Sequence, residues 1–282
     1  MPALYVVATP IGNLEDVTLR AIRVLKEAKL IAAEDTRKTK RLLDHYGINT
    51  PMTSYYEHNK MAKLGYLLRF LENDDLALVS EAGMPGISDP GYELVVAAAK
   101  QGVRVVVIPG PSAIVAAVAV SGLPTDQFTY LGFLPRKKSE RVHLLERVSL
   151  EPRTLVAFEA PHRLLDCLRD MREVLGDRRI AIVRELTKLH EEVFRGATSE
   201  AIEHFQQPKG EFTIVVEGNK LDIKPVLTPE IETEIRDFQK QGIPAKEAIA
   251  RLSATTGLPR KELYQAWLEL KDSGKADGGT GA

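Results

Sequence analysis

Cysteine, long apolar runs and an excess of either charge are what this chain lacks, and each shortage removes a class of protein. A single cysteine, Cys167, among 282 residues excludes an internal disulfide framework and a multi-cysteine zinc centre. It fits a reducing compartment, the cytosol. Its helical setting, Leu164-Leu165-Asp166-Cys167-Leu168, treats the thiol as a small apolar side chain. The most apolar stretch, Val103 to Leu123, is broken by Pro109, Gly110, Pro111 and Gly122. It therefore reads as strand, turn and buried helix, and no membrane span of roughly 18 residues is expected. The chain opens on strand-like Leu4-Tyr5-Val6-Val7, with no basic leader before an apolar core, which predicts no secretion signal. Lys+Arg number 38 against 39 Asp+Glu, so a nucleic-acid partner must be met by a local basic surface. The six histidines are dispersed, and no metal site is expected. Neither a G-x-G-x-x-G turn nor a P-loop follows any strand, which points away from dinucleotides and ATP.

What is present is an alternation of short apolar strands and amphipathic helices, the pattern of an α/β fold. Strands are expected at Leu4–Ala8, Leu30–Ala33 and Leu76–Val79. Val103–Ile108, a β-branched run, reads as a buried parallel strand. Helices begin after Asp16 or Thr18 and at Glu34 to Arg37, where Asp35 is a candidate cap. Gly47 is a candidate C′ residue. A second α/β unit starts near Thr125, with strands at Phe128–Leu134, Thr154–Phe158, Ile180–Leu186 and Phe212–Val216. Its helices lie at Ser139–Arg147, His162–Leu175 and near Thr198–Phe205. Asp222–Pro229 reads as a linker. Helical patterns at 230–241, 245–255 and 260–270 follow, with turn-like separators, in helix-turn-helix spacing; a plain helical cap is the competing reading. The Gly-rich tail from Ser273 is expected to be disordered. The expected division is 1–122, 123–221 and 222–282, the last holding a small helical domain at 225–270.

Two loops carry most of the functional signal. Thr9-Pro10-Ile11-Gly12-Asn13-Leu14 follows the first strand, and Ser80 to Gly91 follows the strand at Leu76–Val79. Both sit beyond carboxyl ends of strands, where open α/β sheets bind ligands. Pro10 fixes a dihedral and Gly12 permits close backbone approach. The Ser80–Gly91 path has few side chains, so a ligand can lie against its backbone, with Glu81 as its first carboxylate. The competing reading is a surface turn stabilised by Ser88 and Asp89. Pro109-Gly110-Pro111-Ser112 forms a third wall, whose helix N-terminus offers free N–H groups to a carboxylate. Charged blocks close further strands at Glu34-Asp35-Thr36-Arg37, Pro161-His162-Arg163 and Arg184-Glu185-Leu186-Thr187-Lys188, and Glu57-His58-Asn59 lies on a connection before an amphipathic helix. Each is either a solvated turn or part of a site. Arg136-Lys137-Lys138, with Arg141 and Arg147, is the strongest local basic patch; it reads either as a solvated face or, on an enzyme acting on RNA, as a backbone-binding flap.

These blocks, with Gly210-Glu211, stand in the order found in a known family. The chain resembles the ribosomal RNA small subunit methyltransferase I family, a branch of the tetrapyrrole-methylase-like superfamily, across almost all of its α/β part. The resemblance implies a two-domain tetrapyrrole methylase-like α/β fold with a small C-terminal helical domain, working as a homodimer. It implies S-adenosylmethionine as methyl donor and a cytidine 2′-hydroxyl of 16S rRNA, in the small ribosomal subunit, as acceptor. The implied cofactor walls are Pro10, Glu81, Ala82, Gly83, Met84, Pro111, Ser112, Phe158, Leu186, Gly210, Glu211 and Phe212. Two departures stand out. The family loop usually reads Ser-Asp-Ala-Gly-Thr-Pro, whereas this chain has Glu81 and Met84. The usual Glu-Ser-Pro-His is here Glu159-Ala160-Pro161-His162.

A ribose hydroxyl is a poor nucleophile, so alignment and a proton acceptor are expected. Asp35, His58 and Glu185 are candidates for the acceptor, and Lys188 for positioning or polarisation. Substrate-side candidates are Asn13, Arg20, Glu34, Arg37, Asn59, Arg136, Lys137, Lys138, His162, Arg163 and Arg184. A same-fold enzyme acting on a tetrapyrrole or other small substrate, and a non-catalytic RNA-binding factor, are the alternatives.

Overall fold

The computed structural model describes residues 2–220 and 227–276. Residues 1–219 and 220–282 separate into two compact units. In the first unit, β1 (Ala3–Val7), β2 (Leu30–Ala33), β3 (Met52–Ser54), β4 (Leu76–Val79) and β5 (Arg104–Ile108) form a parallel sheet in the order β3-β2-β4-β1-β5. Both faces are covered, so the strands read as continuous apolar runs rather than alternating ones. Val7, Ile31, Ala33 and Val79 pack on α1 (Leu19–Glu27) and α2 (Thr36–His45). Leu4, Val6, Ala32 and Leu78 pack on α3 (Lys60–Phe70) and α4 (Tyr92–Lys100). Thr18, not Asp16, caps α1 through the Ala21 N–H at 3.1 Å. Asp35 caps α2 through the Arg37 and Lys38 N–H groups.

One expectation fails here. The run at Val103–Ile108 is an edge strand, not a buried one: β5 pairs only through β1, and Val107 is 56% exposed. A β-branched run reports a pleated, packed surface, not the number of neighbouring strands.

The second sheet joins β6 (Phe128–Phe133), β7 (Thr154–Glu159), β8 (Arg179–Arg184), β9 (Glu192–Ala197) and β10 (Phe212–Val216) in the order β6-β7-β10-β8-β9. Only β6 and β7 run parallel; the other pairs are antiparallel. Neither β3 nor β9 was expected. Each is half-buried along its length, so neither presents a clean apolar period. One face of this sheet packs on α6 (Lys138–Arg147), α7 (Leu164–Leu175) and α8 (Thr198–His204). The other face is covered by α5 (Ala113–Ser121), which leaves β5 and packs Ala117 and Val118 against Val156, Ala181, Val183 and Val215.

The basic patch is smaller than expected. Arg141 is buried, and its Nε donates to Asp170 Oδ2 at 2.7 Å while Nη1 donates to the Pro135 and Arg136 carbonyls. Its place on the inward face of α6 makes it part of the core rather than of the surface.

The second unit holds α9 (Pro229–Lys240), α10 (Ala245–Thr256) and α11 (Arg260–Ala276) around Ile235, Ile249, Leu252, Leu263 and Trp267. Helix α11 continues through Ser273, where the tail was expected to begin, to Ala276. The rest of that tail, and most of the expected linker, lie outside the described residues.

The buried Arg141–Asp170 pair gives the first prediction. Asp170→Ala strands an unpaired guanidinium and should cost about 3–5 kcal/mol in urea unfolding. Replacing both by Met and Leu should recover most of that loss. Equal destabilisation by the single and double variants would show that the pair itself holds the fold.

Candidate active site

The loops after β1 and β4 meet at a fixed point. Thr9 and Gly83 exchange two backbone hydrogen bonds, of 2.9 and 3.0 Å. The chain leaves β1 toward β2 and α1 on one face of the sheet, and leaves β4 toward β5 and α4 on the other. A crevice opens where such connections diverge. It deepens into a cavity of about 400 Å³ between the first sheet's loops and the second sheet, within the usual range for small-ligand sites.

Ten of the twelve expected wall residues line this cavity: Glu81, Ala82, Gly83, Met84, Ser112, Phe158, Leu186, Gly210, Glu211 and Phe212. Pro10 and Pro111 do not; their neighbours Ile11 and Ser112 do. Met84 also packs against the apolar cluster around Leu78 and Leu94, so the thioether fills space at the position where the family loop has a hydroxyl. Glu81 pairs with Lys38, and its own N–H donates to Glu34 Oε2 at 2.9 Å.

Backbone geometry explains why particular residues form the rim. Among the described residues, the non-glycine positions with positive φ are Ser88 (65°), Glu185 (50°) and Thr187 (65°). All three lie in loops around the cavity, where strained backbone is concentrated in functional sites. Gly12 is required by close approach: a Cβ there would meet Lys188 Cγ at 2.5 Å, Thr187 Oγ1 at 2.8 Å and the Leu186 carbonyl at 2.9 Å. The Asn13 N–H donates to Thr187 Oγ1 at 3.1 Å. The loops after β1 and β8 are thereby clasped together.

Among the described residues, the lining carries five acidic residues, Glu34, Glu81, Asp89, Glu159 and Glu211, and no lysine, arginine or histidine. Cations stand behind most of these carboxylates. Lys38 holds Glu81, Arg163 holds Glu159, and Lys188 Nζ bridges Glu185 Oε1 at 3.0 Å and Glu211 Oε2 at 2.9 Å. Burial works to raise the Glu185 pKa, but the Lys188 ammonium and the Glu211 N–H outweigh it and hold the carboxyl below its ordinary value. Burial, with Asp35 adding to it against Lys38, raises Glu34. Asp89 is pushed up to about 7, first by burial, then by the charge of Glu34, against a hydrogen bond from Ser80. From sequence, Asp89 has a part only in the competing reading of the Ser80–Gly91 loop, as a stabiliser of a surface turn; the structure places it on the cavity wall. Its signal was the turn itself, since Ser88 must hold an unusual φ to aim its neighbour. Phe133 and Glu159 were also missed, because they close strands whose direction the sequence does not give.

The remaining candidates divide. Glu34 lines the cavity, and Glu185 and Lys188 flank it through Leu186 and Glu211. Asp35 is occupied as the α2 cap, and the Arg37 N–H first among its partners lowers its pKa. His58 is exposed on the loop after β3 and stacks edge-on with Tyr56. Asn59 organises that loop, accepting from the Tyr56 N–H at 2.8 Å. Asn13 caps a short turn through the Glu15 N–H. Arg163 turns inward to Glu159, and Arg184 donates to the Lys209 carbonyl and Glu192, so neither is a free surface cation. Arg20, Arg37, Arg136, Lys137, Lys138 and His162 are exposed. Lys137 is shared with Glu140, and Lys138 with Asp170 and Glu173. Cys167 is buried, and burial raises its thiol pKa further above its ordinary value, with Glu159 adding to the effect. That is the behaviour of a packing residue.

Two parallel lines of comparison agree with this architecture. The family profile described as Tetrapyrrole (Corrin/Porphyrin) Methylases matches residues 3–202, and that of the RsmI C-terminal HTH domain matches residues 234–271. Diphthine synthase shares the fold with a TM-score of 0.62 at 13% identity, over 77% of this chain and 90% of that one. The methyltransferase CobJ does so with a TM-score of 0.60 at 18% identity, over 77% and 95%. Fold and cavity thus define a protein of the tetrapyrrole-methylase class with an added helical unit. The chain is 49% identical over 273 residues to the ribosomal RNA small subunit methyltransferase I of Halalkalibacterium halodurans, covering 94% of each. It is 46% identical to that of Synechocystis over 279 residues, covering 97% of this chain and all of the relative. It belongs to the ribosomal RNA small subunit methyltransferase I family. The relative from Thermotoga maritima, 51% identical over 223 residues, is matched over its full length by 78% of this chain.

The Asp89 environment predicts a pH-dependent stability. Its folded pKa lies above the unfolded value, so the folded state binds the extra proton and loses stability as pH rises from about 4 to about 7. Asp89→Asn should therefore gain stability relative to the parent across that window and hold a level advantage above it. Urea midpoints at pH 4, 6 and 8 measure this; a pH-independent difference would contradict the assigned environment.

Proposed function

We propose that the cavity seats S-adenosylmethionine between the Glu81–Met84 loop, the start of α5 and the Phe158, Leu186 and Gly210–Phe212 walls. The observation that carries this is the lining itself: among the described residues it presents carboxylates and no cationic side chain, beside apolar and aromatic surface. Such a site repels phosphates and suits a ligand that carries a sulfonium and an ammonium. The α5 N-terminus at Ser112, whose side chain makes no capping bond, leaves N–H groups for that ligand's carboxylate. When bound, the cofactor supplies an electrophilic methyl group. The chain's own part is to exclude water with Phe133, Phe158 and Leu186, to hold the rim loops through Gly12 and Lys188, and to orient the acceptor hydroxyl. The activity is S-adenosylmethionine-dependent 2′-O-methylation of a cytidine in 16S rRNA. The segments 1–122 and 123–221 act as the two halves of the cofactor cleft.

The substrate is bound within the small ribosomal subunit, in the cytoplasm. Exposed Arg20, Arg37, Arg136 and Lys137 supply phosphate contacts, and the 227–276 helices add a docking module. The Thermotoga maritima match supports the modular reading, since the share of this chain left unmatched equals the 220–282 unit in size. A second copy of the chain covers the apolar residues left open on β5 and α5, Val107 and Val115, giving a homodimer.

Labelled methyl transfer to unmodified small subunits and to naked 16S rRNA, with the product mapped, tests the activity. Label at a cytidine 2′-oxygen is expected, with the subunit preferred. Cofactor binding without label on either RNA would overturn the RNA assignment. Gly12→Ala tests the clasp. Its Cβ meets backbone at Leu186, so that wall must move, and affinity for S-adenosylhomocysteine should fall about tenfold, or 1.4 kcal/mol, in calorimetry. An unchanged affinity would remove the clasp from the binding site.

A further inference from the structure

We propose that Asp89, on the cavity wall, is the group that accepts the proton of the attacking ribose hydroxyl, and that Glu34, on the same wall, is a positioning residue acting through it. The inference rests on the methyl-transfer reading above and adds the base that reading lacks. Each acceptor expected from the sequence is placed unsuitably. Asp35 is committed to two N–H groups at the start of α2. Glu185 is committed to Lys188 and the Glu211 N–H. His58 is not among the residues lining the cavity. Of the lining carboxylates, Glu81, Glu159 and Glu211 are each already engaged by a cation, Lys38, Arg163 and Lys188 respectively.

Asp89 differs in what surrounds it. Glu34 faces it from the end of β2, the Ser80 hydroxyl from the end of β4, and Tyr130 from β6. Lys38 on α2 bears on Glu34 and Glu81. Among the described residues no cation pairs with Asp89. The turn that presents it is fixed from the second sheet: Ser88, at φ 65°, is bonded to the Tyr130 hydroxyl at 2.6 Å. The carboxyl thus sits on the cavity wall, aimed by a strained neighbour, with burial and a like charge raising it to about 7. A base with a pKa near the working pH is the efficient one for taking a hydroxyl proton. In the step, the ribose oxygen bonds the methyl carbon as the methyl–sulfur bond breaks. The electron pair of that bond stays with sulfur, and the hydroxyl proton passes to Asp89 and then to solvent.

The test has two independent readouts. Carboxyl NMR of the full chain labelled at aspartate should show one resonance titrating near pH 7, absent in Asp89→Asn and moved toward acid in Glu34→Gln. Single-turnover methylation of small subunits should rise with unit slope to a plateau near pH 7. Asp89→Asn should lower the rate about 100-fold or more, with S-adenosylhomocysteine affinity within about threefold of the parent. Glu34→Gln should shift the acidic limb in the same direction as the resonance. A rate for Asp89→Asn within tenfold of the parent, or a limb that stays in place in Glu34→Gln while the resonance moves, would overturn the proposal. If Asp89→Asn does not fold, the Glu34→Gln comparison decides alone. An unmethylated subunit with the parent chain would instead overturn the functional reading, and the NMR titration would still report on Asp89.

Discussion

The cavity exists because one helix belongs to two sheets. Helix α5 is carried out of β5 in the first sheet, yet Ala117 and Val118 are spent on the second, against Val156, Ala181, Val183 and Val215. Burial of that apolar contact fixes the second sheet over the carboxyl ends of β1 and β4. The same helix begins at Ser112, on the cavity wall. Its sequence, Ala-Ile-Val-Ala-Ala-Val-Ala-Val-Ser, has no polar stripe, so the face turned away from the second sheet is apolar and open, with Val115 59% exposed. Loosening this contact would open the cleft and move the helix terminus on its wall together. Fold and site are therefore coupled at α5 more tightly than at any loop.

The electrostatic design follows from the same enclosure. Five acidic residues around a small cavity would repel one another strongly in a medium less polar than water. The chain offsets this by placing Lys38, Arg163 and Lys188 behind the wall, where they neutralise the carboxylates without entering the cavity. The interior stays attractive to a cation while the protein as a whole is nearly neutral. Lys188 shows how economical the arrangement is. One ammonium ties Glu185 on one loop to Glu211 on another, and its stem lies against Gly12 on a third. Mutating Lys188 would therefore mix electrostatic and packing effects, which is why Gly12 is the cleaner probe of the clasp.

Much of this was legible in the sequence. Four of the five strands of the first sheet, Thr18 as one of two candidate caps, Asp35 as a cap, and the loops after β1 and β4 follow from local chemistry. What failed to show depends on neighbours distant in the chain. Arg141 looked like one member of a basic patch; its burial depends on Asp170, one helix later. Arg163 stands among the substrate-side candidates, but the turn after β7 aims it at Glu159. Strand β9 pairs along an edge with half-buried, charged residues, and no periodicity marks it. The position of Val107 at an edge is a matter of topology, which composition cannot carry.

Asp89 is the instructive miss. Within its own segment, Ser88-Asp89-Pro90-Gly91 is a sound turn, and a turn explanation consumes the residues fully. Only when β6 brings Tyr130 to Ser88, and β2 brings Glu34 to face the carboxyl, does the turn become a device. The backbone records this, because a serine held at φ 65° costs of order 1–3 kcal/mol that a free surface turn would relax. The same holds at Glu185 and Thr187, on the opposite rim. Strain at three non-glycine positions, all beside one cavity, is maintained by packing elsewhere in the unit. It fixes side-chain direction on loops that would otherwise sample several, and in methyl transfer direction is most of what the protein must supply.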